Sequence, residues 1–174
     1  MKALCIVAHP DDCVIFGYSY IYNHPNLNWT VCYLTYTENS PRGQEFAQFW
    51  QARNIKTKFL GFVDDYQDQQ TQQLNFWPAV DAEAECWNVA KDFDLVLTHN
   101  AEGDYGHIHH RVVYNGVKNH PNLVTFAPPG RGNRSFTVPS STYNLTELPL
   151  HADIIKSFHQ DMHANSYNEH KDKI

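Results

Sequence analysis

Ala3-Leu4-Cys5-Ile6-Val7-Ala8-His9-Pro10-Asp11-Asp12, residues 3–12, is the stretch that decides the fold. Six apolar residues in a row carry no helical period and stop at a proline-aspartate turn, the pattern of a strand buried on both faces. It predicts a first, central strand. Asp11-Asp12 caps a helix well, and the mostly apolar segment Val14 to Tyr22, ended by Asn23-His24-Pro25, supplies that helix.

Outward from there the alternation continues. Thr30 to Tyr36 reads as a second strand. Phe46, Phe49, Trp50 and Arg53 recur at helical spacing, and Thr57 to Phe62 reads as a third strand. Asp64 to Gln73 is rich in Gln and Asp and predicts a surface loop or a frayed helix start. Trp77, Val80, Ala84 and Trp87 predict a helix to Lys91, and Asp94 to Thr98 a buried strand. A polar loop, His99 to Gly106, leads to a helix starting near His107, and Leu123 to Phe126 reads as a fifth strand. Residues 127–134 break regular structure, and Ser135 to Leu150 is β-prone but interrupted by Pro139 and Pro149, as edge strands are. Ala152 to His163 predicts a last helix, and the polar tail after Ser166 a frayed end. The expectation is an α/β fold: one Rossmann-like domain over residues 1–174, with a mostly parallel sheet flanked by helices.

Composition excludes several classes. Of the 174 residues, 42% are hydrophobic and 14% aromatic, too many for a disordered chain. A net charge of −6 offers no general attraction to phosphate backbones or anionic lipid. No apolar run approaches the roughly 20 residues of a membrane span, and the N-terminal stretch turns polar too soon for a signal peptide, so a cytoplasmic protein is expected. Cys5, Cys13, Cys32 and Cys86 are dispersed without a C-x-x-C pair and read as buried free thiols. Trp50, Trp77 and Trp87 read as core.

Two polar clusters could carry chemistry. In Ala8 to Asp12, imidazole and carboxylate are the donors of catalytic zinc, and a turn can bring His9 and Asp12 to one side while Asp11 faces elsewhere. The same string also serves as a plain turn with a helix cap. The second cluster is Thr98-His99-Asn100-Ala101-Glu102-Gly103-Asp104-Tyr105-Gly106-His107-Ile108-His109-His110-Arg111. On a helix starting near His107, His107 and His110 share a face, whereas His109 points away and reads as solvated. Each cluster follows a buried strand, so the fold should bring both to one sheet edge. There is no glycine-rich nucleotide loop. His159 and His163 read as surface histidines.

These residues resemble the PIG-L/LmbE-like zinc-dependent de-N-acetylases, which remove acetyl groups from N-acetylglucosamine conjugates. The family's opening A-H-P-D-D motif stands as Ala8 to Asp12, and its T-x-N or T-x-D stretch leading to G-H-x-x-H matches Thr98 to His110. The resemblance implies His9, Asp12 and His110 as Zn2+ ligands, Asp11 as general base, and His107 as the acid or oxyanion-stabilising group. Fe2+ and Co2+ suit the same donors. Arg42, Asn100 and Asp104 are candidates to hold an N-acetylated sugar or glycoconjugate. Two departures stand out: Cys13 where many members have Glu, and Ile108-His109 in place of the usual Pro-Asp. A homo-oligomer, with loops lent by another subunit, is compatible with the chain's length. Three ligands leave one tetrahedral position for a water, whose proton Asp11 would take, while a protonated His107 would stabilise the oxyanion. The competing readings are a metal-containing module that binds glycan without cleaving it, and a hydrolase of another bond.

Overall fold

The computed structural model of the chain describes residues 1–64, 66–68, 73–74, 78–139, 142–158 and 164–169. In chain order the elements are β1 (Lys2–Val7), a π-helical turn (Cys13–Gly17) running into α1 (Tyr18–Asn23), β2 (Asn28–Thr35), α2 (Pro41–Gln51) and β3 (Lys56–Phe62). A short pair β4 (Tyr66–Asp68) and β5 (Gln73–Leu74) follows, then α3 (Ala79–Ala90), β6 (Leu95–Thr98), α4 (Ile108–Val117) and β7 (Leu123–Ala127). The last elements are β8 (Arg134–Thr137), α5 (Ala152–Phe158) and β9 (Ala164–Glu169).

Seven strands form one sheet in the order β3-β2-β1-β6-β7-β9-β8. The first five run parallel, and β9 is antiparallel to both β7 and β8. The chain winds outward from β1 to β3, then crosses back to β6, so strand order reverses between β1 and β6. A crevice opens at such a reversal, outside the carboxyl ends of the strands.

The uninterrupted apolar run of β1 follows from its position. Ala3, Cys5 and Val7 point to one face, packed with Val14, Ile15, Phe46, Phe49 and Trp50. Leu4, Ile6 and Ala8 point to the other, against Ala82, Cys86, Val113 and Val117 of α3 and α4. Both faces are covered, so neither set can be polar. Helices α3 and α4 approach closely at Gly116, where a Cβ would lie 2.8 Å from the Cys86 Cβ. The four cysteines are free and buried. Among the described residues no helix is long and apolar enough to cross a membrane.

Four expectations need correction. Residues 164–169 are a strand: β9 lies between β7 and β8, and Tyr167 is fully buried, while residues 170–174 lie outside the described residues. Its hydroxyl donates to the Phe16 carbonyl at 2.6 Å and accepts from the Tyr20 amide at 3.2 Å, which ties the sheet to α1. Tyr167 is the only large apolar residue in Ala-Asn-Ser-Tyr-Asn-Glu, so hydrophobic periodicity gave no signal. In the stretch read as a loop or helix start, Tyr66–Asp68 pairs antiparallel with Gln73–Leu74 as β4 and β5, and residues 65 and 69–72 lie outside the described residues. Among the described part of residues 135–150, the expected edge strand is confined to β8, at the end of the sheet; Leu145–Glu147 instead forms a 3-10 turn closed by a capping box from Asn144 and Glu147. Trp50 is core, but Trp87 is 37% exposed, on the outer side of α3. Trp77, His159 and His163 lie outside the described residues.

Candidate metal centre

The ends of β1, β2 and β6 are stitched together by side chains that stop each strand. The Ala8 amide donates to His99 Nε2 at 2.9 Å, the Thr35 hydroxyl donates to the Ala8 carbonyl at 2.8 Å, and the Thr98 hydroxyl to the Ile6 carbonyl at 2.8 Å. The chain then turns at His9, whose amide donates to Asp12 Oδ2 at 2.8 Å while the Asp12 amide donates to the His9 carbonyl at 3.1 Å. This turn directs the His9 and Asp12 side chains together and leaves Asp11 facing the cavity.

From β6 the loop reaches α4 through a tight turn. Gly103, at φ +73°, brings its own Cα close to the His107 carbonyl, where a Cβ would stand 2.5 Å from that oxygen. Asn100 Oδ1 accepts from the amides of Glu102 and Asp104, at 3.1 and 2.9 Å. The turn places the Asp104 carboxylate under two imidazoles, His110 Nδ1 at 2.8 Å and His99 Nδ1. Because His99 Nε2 accepts from Ala8, its proton sits on Nδ1 and is donated to Asp104. His110 likewise donates from Nδ1, which leaves its Nε2 lone pair aimed at His9 and Asp12. A carboxylate holding the far nitrogen of an imidazole is the usual support of a metal-ligating histidine. Burial would raise the Asp104 carboxyl, but the two imidazoles override it and bring its pKa down to about 2.

His9, Asp12 and His110 form a cluster that fits a divalent metal ion. His9 Nδ1 lies 3.2 Å from Asp12 Oδ2, His110 Nε2 lies 3.2 Å from the same oxygen, and the two nitrogens are 3.3 Å apart. A tetrahedral ion with bonds of about 2.0–2.2 Å spaces its donors about 3.3–3.6 Å apart, so the triangle has the right size. Charge agrees. Burial pulls the His9 imidazole toward neutrality, yet Asp12 and Asp64 override it and push its pKa up to about 10, favouring positive charge at this spot. Asp12 is held well below the usual carboxylate range: burial opposes ionisation, and His110 and His9 outweigh it.

A cavity of about 240 Å3 opens over the cluster, lined by His9, Asp11, Asp12, Ile15, Arg42, Asp64, Tyr105, His107 and Ile154. Asp11, 5% exposed, has its carboxyl raised by burial and by the adjacent Asp12 charge. Arg42 reaches in with one guanidinium nitrogen 3.5 Å from Asp11 Oδ1. The guanidinium is held on two sides. Its Nε donates to His151 Nε2 at 2.7 Å, and His151 in turn rests on the buried Glu45 carboxylate. Its other nitrogen donates to the Tyr36 hydroxyl at 2.6 Å, which donates to Asp64 Oδ2 at 2.6 Å.

The structure thus brings His9, Asp11, Asp12, Arg42, His107 and His110 to one place. Asn100 and Asp104 do not line the cavity: the first closes a turn, the second supports His110. His107 is not within α4 but caps it, its Nδ1 accepting from the His109 amide at 3.1 Å. Burial, followed by the charges of His9, His110 and His109, lowers its pKa to about 3, which disfavours the cation expected there. His109 is fully buried rather than solvated, with Nδ1 3.1 Å from His9 Nε2. Its position on α4 points it inward, toward the end of β1, with its ring centroid 5.1 Å from that of His107. Asp64, Tyr105 and the Glu45–His151 pair were missed. Asp64 follows the carboxyl end of β3, so the rule that located the other clusters would have found it. Nothing in the sequence around Glu45 or His151 signals their meeting.

The fold and this cluster define an α/β protein with a candidate metal centre at its sheet's switch point. The chain belongs to the family described as PIG-L: GlcNAc-PI de-N-acetylase, which matches residues 4–120 and contains both polar clusters. Uncharacterized protein L374 of Acanthamoeba polyphaga mimivirus is 27% identical over 141 residues, 71% of this chain; that alignment covers 60% of the viral protein's length. Among solved structures, N,N'-diacetylchitobiose deacetylase from Pyrococcus horikoshii superposes with a TM-score of 0.57 at 18% identity, over 92% of this chain and 71% of that one. GalB, the 4-carboxy-2-hydroxymuconate hydratase of Pseudomonas putida KT2440, superposes with a TM-score of 0.59 at 11% identity, over 97% and 95%. A deacetylase and a hydratase on one fold mean that the site, not the fold, must carry the functional argument.

Proposed function

We propose that the protein is a zinc-dependent hydrolase that removes an N-acetyl group, most simply from an N-acetylglucosamine-type conjugate. The observation that carries this is the triangle of His9 Nδ1, Asp12 Oδ2 and His110 Nε2, with an unligated carboxylate, Asp11, beside it in the same cavity. Family membership supports a de-N-acetylase of the general kind. A divalent ion on these three donors would supply Lewis acidity, making water acidic and an amide carbonyl electrophilic.

The chain's own residues then have distinct tasks. Asp11, kept from ionising too readily by burial, accepts the proton of the attacking water and passes it to the amide nitrogen, which leaves as the free amine when the C–N bond breaks and acetate forms. His107, its Nδ1 occupied by the His109 amide, carries its proton on Nε2 and donates it as a neutral hydrogen bond to the oxygen on which charge develops. Arg42 and Asp64 line the cavity and are placed to bind sugar hydroxyls. A volume of about 240 Å3 suits the acetamido end of a single sugar ring, with the remainder of a conjugate outside.

Acetate release from a panel of N-acetylglucosamine conjugates, abolished by chelator and restored by zinc or cobalt, tests the proposal. The second reading, binding without cleavage, rests on His109 in the place of the family's carboxylate. A fully metallated protein that binds such a sugar at this cavity and releases no acetate would establish it.

A further inference from the structure

His9 presents both ring nitrogens to metal-type donors. Nδ1 faces Asp12 and His110, as described. Nε2 lies 3.1 Å from His109 Nδ1 and 3.2 Å from Asp64 Oδ1, and those two atoms are 3.7 Å apart. These edges bracket the donor spacing of about 3.3–3.6 Å in a tetrahedral zinc site. From this juxtaposition we infer a second divalent-cation site, formed by His9 Nε2, His109 Nδ1 and Asp64 Oδ1 and joined to the first through the His9 ring.

Charge balance favours two ions. Four carboxylates, Asp11, Asp12, Asp64 and Asp104, converge on the cluster, and among the described residues Arg42 is the one fixed cation that touches any of them. With neutral imidazoles, three negative charges are left over. One dication leaves one. A second dication offsets that remainder. Burial of His9, Asp12, His109 and His110 makes such compensation valuable, because uncompensated charge is costly where water is scarce. The site depends on His109, whose Nδ1 supplies the second imidazole donor beside His9 Nε2.

This inference does not depend on the reaction, so metal binding alone tests it. Apoprotein titrated with Zn2+ should take up two ions per chain, the second more weakly. His109→Asn and Asp64→Asn should each bind one, with the second equivalent's affinity reduced at least tenfold. Asp64 is partly exposed, so the second variant stays informative if the buried His109 substitution impairs folding. With Cu2+, the paramagnetic resonance signal of the first equivalent should weaken as the second binds, through exchange across the shared imidazole. One zinc per chain in the wild type, lost in His110→Ala, would overturn the second site and leave the proposed function standing. Two zinc ions in wild type and in both variants would also overturn it. No zinc at all would overturn both readings.

Discussion

The floor and the rim of the cavity are built on different terms. The floor, His9, Asp12 and His110, comes from the two strand ends that flank the sheet's reversal, all within residues 4–120 where the family matches. Its donors are buried and backed by Asp104 and His99. The rim is Arg42 and Asp64, part-exposed, and Arg42 is held by His151 from beyond the family match. The chemistry is fixed by the topology, whereas the substrate-facing wall is assembled by packing from a distant part of the chain. Floor residues should therefore govern turnover and the metal of the first site, and Arg42 on the rim should govern apparent affinity.

Substitutions on the two sides should separate these roles. The largest effect is expected for His110→Ala, which removes a floor donor and should lose the ion held at His9 Nδ1, Asp12 and His110 and all acetate release in a protein that still folds, keeping no more than the weaker equivalent at His9 Nε2, His109 and Asp64; elemental analysis and circular dichroism check it. Next, His107→Ala should keep its metal and lose about 100- to 1000-fold in turnover, the usual scale for one oxyanion donor. A rim change should be milder and of another kind. His151→Ala removes a hydrogen bond to the charged Arg42, which should raise KM about tenfold with metal content and kcat nearly unchanged. His151→Gln, keeping a polar group there, should recover part of the loss. An equal fall in kcat would mean that Arg42 belongs functionally to the floor. The smallest effect concerns neither side: Tyr167→Phe should cost about 1–3 kcal/mol of unfolding free energy by removing the hydroxyl that joins the Phe16 carbonyl, the Tyr20 amide and Ser19 Oγ. Denaturant titration reads that loss, and metal content should not move.

What could be read from the sequence follows the same division. The β1 run and both floor clusters were legible because burial on two faces demands an unbroken apolar string, and because strand ends locate ligands in an α/β sheet. His109 was misread because helical geometry says which way a side chain points relative to its helix, not what lies there. Here the end of β1 lies there, so the residue is buried. Asp64 sat in a stretch dismissed for its composition, although it followed a strand end like the others. Glu45 and His151 are separated by 106 positions and meet only through tertiary packing. For β9, one tyrosine supplied the apolar contact of a whole strand, and backbone pairing supplied the remainder.

The central claim is that two adjacent aspartates do different work: Asp12 holds the metal and Asp11 moves the proton. Bound zinc and acetate release measured on the same preparation of Asp11→Asn test it most directly. The account predicts full zinc occupancy with turnover reduced by about 100-fold or more, the scale of general-base catalysis. Loss of zinc from that variant, or full occupancy with unimpaired turnover, would contradict it.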